Sequence, residues 1–418
     1  MVKLAIDQSP ASSLPRRFLL SAPPWGMFAG ALLLFGGAPL LATRWQPATV
    51  ALVHAFTLGV LGNTMFGSVL QFLPAAAGVR VRAGTALGQI LHGLFNAGAI
   101  ALLIALLTGW RTGLAFAGVL LPAAFLLLGA MTLPGMLVAR GQHLLRTGIG
   151  LALLSAMLTA LLGGGLALGL SGRLPMPAWP LVDVHAGWGI LGWIVLLLAS
   201  VARVVMPMFQ GTSAPSATAQ AGWTGAVVLA LGAATWRALA CADASWLRLA
   251  LGLLVGGFAV AALWLQWRSP RARDGALLRS WRLGLLVLLL AALALLSGIR
   301  DGRLAGALGL AVALPLLLNG MSLEIVAFLG WIELHRRIGR GVQLPGVQRL
   351  LPEADKHRVL LMQLPPALLL PAAVLWPAAW LTRLAGLAML GAWFACWPAL
   401  TGVHRRSRRF ARNLDTDR

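Results

Sequence analysis

The chain has few charged residues, two cysteines and no tyrosine. Charged residues make up 11% of its 418 positions, whereas hydrophobic residues make up 59%. Soluble domains carry about 25% charged residues, so this composition excludes a soluble globular protein. Cys241 and Cys396 fall on different apolar segments, which argues against a disulfide and excludes a cysteine-based metal motif.

Motifs of soluble enzymes are also missing. The sequence has no glycine-rich phosphate loop, no HExxH and no Ser/His/Asp set in a defined frame. The net charge of +22 is spread over many short connectors, and no soluble basic domain exists to bind nucleic acid. We therefore expect the lipid bilayer to be the partner of the basic residues.

Long apolar segments dominate the rest of the sequence. A helix needs about 20 apolar residues to cross a bilayer core of about 30 Å. This length predicts an all-α polytopic transmembrane bundle of about twelve helices. The predicted spans are 18–42, 48–74, 84–108, 112–138, 144–170, 181–207, 222–240, 246–267, 279–298, 304–330, 358–380 and 382–402.

These spans form a single predicted transmembrane domain, residues 18–402. It lies between a cytoplasmic N-terminal segment, residues 1–17, and a basic cytoplasmic tail, residues 403–418, which we interpret as a lipid-facing or disordered end. Of the 33 basic residues, 25 fall on the side that both termini share. Because Lys and Arg concentrate in cytoplasmic loops, we expect a bacterial-type inner-membrane protein with both termini in the cytoplasm.

Two histidines occupy a similar frame near the start of two apolar segments. His54 and His185 each follow a valine and precede an alanine. They are predicted about 9 Å and about 6 Å below the outer face, at similar depth. A histidine inside a membrane is a functional candidate by default. The pair predicts one shared haem or copper ion, with Asp183 either orienting the imidazole of His185 or simply solvated.

A third histidine, His92, lies closer to the inner face on an oppositely directed span. Gln89 and Asn96 lie about one turn away on either side, so the three form a polar stripe on one helix face. Such stripes commonly hydrogen-bond neighbouring helices in membranes. We favour that interpretation, with a weaker alternative of a third metal ligand or a proton relay.

Glu324 is the one carboxylate well inside a predicted span. Asn319 is a near neighbour, and Gln71 and Arg203 are predicted at comparable depth. These residues suggest either a proton or ion path from the cytoplasm or a structural Glu324–Arg203 pair, and we favour the pair.

Four methionines, Met65, Met206, Met208 and Met321, carry thioethers of the kind that suit Cu(I). Met65 lies about 16 Å along the helix from His54, which is too far for one metal site. Packing is the better explanation of these side chains.

The end of span 2 (LQFLP), the end of span 6 (VVMPMFQ) and the end of span 10 (LEIVAFLGWIELHRR) lie four spans apart. This spacing suggests three four-helix units. With histidines on spans 2 and 6, the chain resembles subunit I of haem-copper oxidases. Three segments carry a closer similarity to small oxidase-like relatives, including NnrS-type haem and copper proteins of nitric oxide metabolism: RRFLLSAPPWGMFAG from Arg16, VHAFTLGVLGNTMFGSVLQFLP from Val53 and DVHAGWGILGW from Asp183.

The resemblance implies an axial haem ligand at His54 and a copper ligand at His185. It also has clear departures: span 7 lacks the adjacent histidine pair, span 10 lacks the pair that serves both haems, and the chain has no tyrosine. Oxygen reduction by the usual route is therefore excluded.

The function that we expect is haem or copper binding through His54 and His185, in nitric oxide handling, electron transfer or metal-centre assembly. Respiratory or denitrification proteins are the expected partners. The alternatives are a transporter, in which Glu324, Asn319, Gln71 and His92 mark a polar path, and a non-catalytic assembly partner of a respiratory complex.

Overall fold

The structure, a computed structural model, describes residues 11–82, 84–270, 274–338 and 344–416. It is an all-α bundle in which twelve helices are long and apolar enough to cross a membrane. They are α1 (Ser13–Gly36), α2 (Pro47–Ala77), α3 (Ala86–Thr108), α4 (Arg111–Val138), α5 (His143–Leu170), α6 (Pro180–Gln210), α7 (Ala217–Cys241), α8 (Ser245–Trp267), α9 (Ala276–Leu296), α10 (Ile299–Ile338), α11 (Glu353–Leu375) and α12 (Ala379–Asn413).

The predicted fold class is confirmed, and the differences lie at the helix ends. Helix α1 already begins at Ser13, and residues 1–10 of the predicted N-terminal segment lie outside the described residues. At the other end, the α12 helix continues to Thr416. Of the two predicted alternatives for the tail, the helix contradicts the disordered end for residues 403–416, and the lipid-facing end stays a prediction. Residues 417–418 lie outside the described part.

The α12 extension is helical because it packs on the rest of the bundle. Arg406 donates to the Leu350 carbonyl and pairs with Asp355 at 3.3 Å. At the same end of the bundle, Arg16 donates to Glu333 at 2.7 Å and contacts Nδ1 of His404 at 3.0 Å. These contacts join the start of α1 to the extended ends of α10 and α12.

The contacts between helices follow the order of the chain and end where they began. Each helix packs against the next one, and α1 packs against α12. Because the number of crossings is even, residues 11 and 416 lie on the same side of the membrane. We keep the predicted names for the two faces, inner for the side with the termini and outer for the other.

Three of the twelve helices lie at the centre of the bundle, and the other nine surround them. The buried share of the most apolar stretch is 72% in α2, 72% in α6 and 89% in α10. In the other nine helices this share is at most 61%. These inner helices are the three whose related ends lie four spans apart in the sequence, although the spacing itself predicted only three four-helix units. The wider expectation of haem-copper oxidase arcs stays a prediction.

All three inner helices contain a π-helical segment in their outer half. The segments are Ala55–Gly62 in α2, Trp188–Val195 in α6 and Ala307–Ala313 in α10. π-Helical turns are rare and frequently mark functional sites. His54 lies immediately before the π-helical segment of α2, and His185 lies three residues before that of α6. At the same place in α10, the residue before the segment is Gly306.

The first and last helices meet through two glycines. A Cβ on Gly386 would lie 2.4 Å from the backbone nitrogen of Leu34, and one on Gly30 would lie 2.6 Å from that of Leu390. Small residues at such crossings let helix backbones approach closely in a membrane.

We expect Gly386→Val to force α1 and α12 apart and to lower the free energy of unfolding by about 1–3 kcal/mol. Thermal unfolding in detergent measures the effect. Gly257→Val is the matched control, since nothing lies within 4 Å of a Cβ at Gly257. Equal melting temperatures for the two variants would contradict this account of the contact.

Candidate functional site

His54 and His185 face each other across the outer half of the bundle. The centres of their rings are 6.2 Å apart, and the ring planes are inclined by 19°. His54 comes from α2 and His185 from α6, so two of the three inner helices supply the pair. Both side chains are half-buried. The structure thus brings together the two residues that the matching sequence frames singled out.

Both imidazoles are oriented by a backbone carbonyl. Nδ1 of His54 lies 2.8 Å from the Val50 oxygen, and Nδ1 of His185 lies 3.0 Å from the Thr159 oxygen on α5. A carbonyl only accepts, so each Nδ1 carries the hydrogen and each neutral ring keeps an unprotonated Nε2. Metal-binding histidines are commonly held by such a bond from the other ring nitrogen, which fixes the tautomer.

A glycine makes room for the His185 ring. A Cβ on Gly163 of α5 would lie 2.8 Å from Cε1 of His185, so only glycine accommodates that ring. On α10, the residue before the π-helical segment is Gly306, whereas the corresponding residue of α2 is His54. The third inner helix therefore carries no imidazole at that position.

Charged and aromatic residues cover the outer side of the site. Arg44 donates to Asp183 at 2.8 Å and lies over the Trp45 ring at 4.3 Å from its centroid. The Trp45 and Trp179 rings meet edge to face at 5.6 Å. Asp183 is thus paired with Arg44, and the acceptor that orients His185 is the Thr159 carbonyl. This ion pair differs from both predicted roles of Asp183, which were to orient the His185 imidazole or to be solvated.

A layer of buried aromatic rings lies deeper in the bundle. Phe66 of α2 contacts Phe95 at 4.3 Å and Phe125 at 5.1 Å, and the Phe125 and Trp193 rings are 6.3 Å apart. All four side chains are at most 5% exposed. A planar cofactor held by the histidine pair therefore has to lie on the outer side of this layer.

His92 belongs to a separate polar network between α1, α2 and α3. Ser21 donates to the Arg17 carbonyl at 3.0 Å, so its oxygen accepts from Nε2 of His92 at 2.9 Å. Asn96 exchanges two hydrogen bonds of 3.1 Å with the fully buried Asn63.

This network confirms interhelical hydrogen bonding for His92 and Asn96. Nε2 of His92 is engaged with Ser21, unlike the corresponding nitrogens of the facing pair. Gln89, the third member of the predicted stripe, is exposed. The weaker prediction of His92 as a metal ligand gains no support from this geometry.

Glu324 pairs with Lys356, and the predicted Glu324–Arg203 pair was wrong. Oε1 of Glu324 lies 2.5 Å from Nζ of Lys356, with side chains 13% and 7% exposed. Arg203 instead donates to the Pro215 carbonyl at 2.7 Å, in the connector after α6. Lys356 also lies 3.4 Å from Glu353, so it bridges two carboxylates between α10 and α11.

The remaining predicted polar residues lie around the inner half. Asn319 accepts a hydrogen bond from the Cys396 thiol at 3.2 Å, linking α10 to α12. Gln71 is buried and lines a cavity of about 90 Å³ between α2, α6, α9 and α10. Asn319 therefore belongs to a different helix contact from the Glu324–Lys356 pair, which links α10 to α11.

Three functional contacts were missed at the sequence level. Lys356 was predicted to lie in a connector, yet α11 begins at Glu353 and takes it inside. The sequence feature that could have drawn attention to Lys356 is the rarity of lysine, since the chain has only two, Lys3 and Lys356. Thr159 acts through its backbone and Gly163 through the absence of a side chain, so no residue pattern could indicate either role.

We expect Lys356→Met to lower the free energy of unfolding by about 3–5 kcal/mol, because it leaves a buried carboxylate unpaired. The double variant Lys356→Met/Glu324→Leu should recover most of that loss. Arg279→Met is the control, since the Arg279–Asp274 pair is exposed and should matter little. Thermal unfolding in detergent compares the variants, and a wild-type melting temperature for Lys356→Met alone would rule out a stabilising pair.

The chain matches no model of a known protein family and no curated protein. The architecture is that of a polytopic helical membrane protein.

Proposed function

We propose that His54 and His185 bind one metal-containing cofactor, a haem iron or a copper ion, and that the protein transfers electrons through it. The observation that carries this proposal is the separation of 6.2 Å between the two ring centres. Two metal–nitrogen bonds of about 2.0 Å, with about 1.1 Å from each nitrogen to its ring centre, require about 6 Å. The separation of the two ring centres matches this length, and a shared metal then requires both Nε2 atoms to point at it.

The number of ligands narrows the choice of metal. No group of three or more His, Cys, Asp or Glu that could hold a metal occurs within the described ranges. Zn²⁺ needs four ligands and Cu²⁺ prefers a tetragonal set, so a two-histidine site serves either poorly. The porphyrin of a haem supplies four nitrogen ligands to the iron, so the protein needs to supply only the axial ligands. Cu(I) with two imidazoles is the other chemistry that this pair supports.

The surroundings of the pair hold the two rings in place. Gly163 leaves room for the His185 ring on the α5 side. The aromatic layer around Phe66 closes the inner side. When bound, a haem with two histidine ligands exchanges single electrons and keeps no open position for a gas. We therefore favour electron transfer over nitric oxide binding.

The resemblance to haem-copper oxidases would give the two histidines to different metals. Their short separation instead favours a shared one. In our proposal the protein lies in a bacterial inner membrane with both termini in the cytoplasm, so the site faces the outer side. Its electron partners are then respiratory or denitrification proteins on that side.

We expect His54→Ala and His185→Ala each to abolish the low-spin spectrum of the reduced protein, because each removes one of two axial ligands. His92→Ala is the matched control and should retain the spectrum, since His92 bonds to Ser21. Absorption spectra of oxidised and dithionite-reduced protein, with metal analysis, measure both. Unchanged spectra in the first two variants would overturn the assignment.

A second test leaves both ligands intact. We expect Gly163→Val to displace the His185 ring and to weaken cofactor binding about tenfold or more, as loss of orienting contacts does at metal sites. Gly165→Val is the control two residues away, where a Cβ meets nothing within 4 Å. Cofactor content after purification measures the change. If both variants bind like wild type, the pair is not the site.

A transporter is the second candidate function. It is favoured by the cavity between the inner helices and by the buried Glu324–Lys356 pair. Buried ionisable residues commonly mark ion or proton paths in membranes. Purified protein without haem or copper, together with substrate-dependent uptake into vesicles, would favour this function over the first.

A further inference from the structure

The lipid-facing side of helix α12 continues into a row of arginines at the inner face. The exposed apolar side chains on this side include Trp380, Leu384, Leu387 and Phe394. The exposed arginines of the α12 extension, here called the arginine row, are Arg405, Arg408, Arg409 and Arg412. With about 3.6 residues per turn, all of these positions fall within a sector of about 120° around the helix axis. We propose that the arginine row binds the phosphate groups of anionic phospholipids in the inner leaflet.

The opposite side of the α12 extension packs on the protein. Val403, Ser407 and Ala411 follow one another every four residues and are at most 3% exposed. The Ser407 hydroxyl donates to the Gly330 carbonyl of α10 at 3.4 Å. A Cβ on Gly330 would lie 2.7 Å from the Val403 side chain, so the two helices are in close contact there. This packing fixes the rotation of the extension, and the arginine row is directed away from the bundle.

The depth of the arginine row matches the headgroup layer. Arg16 contacts Nδ1 of His404 at 3.0 Å and lies about 20 residues before Gly36, where α1 ends at the outer face. This length spans a bilayer core of about 30 Å, so Arg16 and His404 lie at its inner boundary. Arg405 and Arg408 then lie about 1.5 Å and about 6 Å beyond the boundary, within a headgroup layer of about 5–7 Å. Arginine side chains somewhat farther along the helix reach the same layer, because long side chains extend to the interface.

The carboxylates beside the extension do not neutralise the row. Glu333 pairs with Arg16 at 2.7 Å. Asp355 pairs with Arg406, which lies at the flank of the extension, at 3.3 Å. The sequence contains no acidic residue from position 404 to position 413. Such a concentration of positive charge at the membrane surface attracts anionic headgroups.

A phospholipid meets both halves of this helix side. The planar guanidinium of arginine donates two parallel hydrogen bonds to phosphate oxygens. Helix neighbours three or four residues apart have Cβ atoms about 5–6 Å from each other, so Arg405 together with Arg408 or Arg409 can hold one phosphate. The exposed Phe394, about 16 Å farther into the core, contacts the acyl chains. A soluble anion has no such second contact. The site is independent of the function proposed for the histidine pair.

The test is native mass spectrometry of the purified full-length protein, titrated with phosphatidylglycerol or with phosphatidylcholine as the lipid without net charge. We expect the wild type to bind phosphatidylglycerol at least about tenfold more tightly than phosphatidylcholine. Each arginine near an anionic surface strengthens binding roughly fivefold. Arg405→Gln/Arg408→Gln/Arg409→Gln should therefore weaken the tightest phosphatidylglycerol site about a hundredfold. All three side chains are exposed, so the variant should fold.

The matched control removes the same charge from the outer side of the protein. Arg111→Gln/Arg173→Gln/Arg248→Gln replaces three exposed arginines there and should bind phosphatidylglycerol as wild type does. Wild-type affinity in the Arg405→Gln/Arg408→Gln/Arg409→Gln variant, or equal affinity of the wild type for the two lipids, would overturn the proposal. Displacement of phosphatidylglycerol by equimolar inorganic phosphate or polyglutamate would likewise overturn it, because the row would then prefer a soluble anion.

Discussion

Inside a bilayer, a polar group has no water to bind and must find its partner within the protein. This constraint explains several polar contacts among the described residues. His92 is bonded to Ser21, Asn63 to Asn96, and Glu324 to Lys356. In the histidine pair, Nδ1 of each ring donates to a backbone carbonyl, and Nε2 carries no hydrogen. That second nitrogen has the chemistry of a ligand.

Sequence reasoning predicted the fold well because membrane thickness and apolar length are directly readable. It also predicted similar depth for His54 and His185 from their matching frames. That the two rings face each other came from the structure alone, because depth does not say which side of a helix a residue occupies. Contacts that act through the backbone, such as the Thr159 carbonyl, have no residue signature. The prediction of the Glu324–Arg203 pair failed for a different reason. Depth along the helices placed Arg203 at the level of Glu324, but the actual partner depends on which helix faces Glu324. The helix that faces Glu324 is α11, which carries Lys356.

The two halves of the bundle differ in chemistry. The outer half offers imidazole nitrogen at a spacing set by two helices, and the inner half offers an apolar cavity with the amide of Gln71 on its wall. The aromatic layer around Phe66 lies between them. Helices α2 and α6 take part in both, because they carry the histidine pair and also line the cavity.

The close contact of Gly30 with α12 also bears on how the protein is made. The contact between α1 and α12 forms only after the last helix has entered the membrane, because these two helices are the first and the last in the chain. The histidine pair needs only α2 and α6, with α5 beside them. A nascent chain with six helices inserted could therefore already present both imidazoles, while the side later occupied by α10 is still open to a bulky cofactor arriving through the lipid.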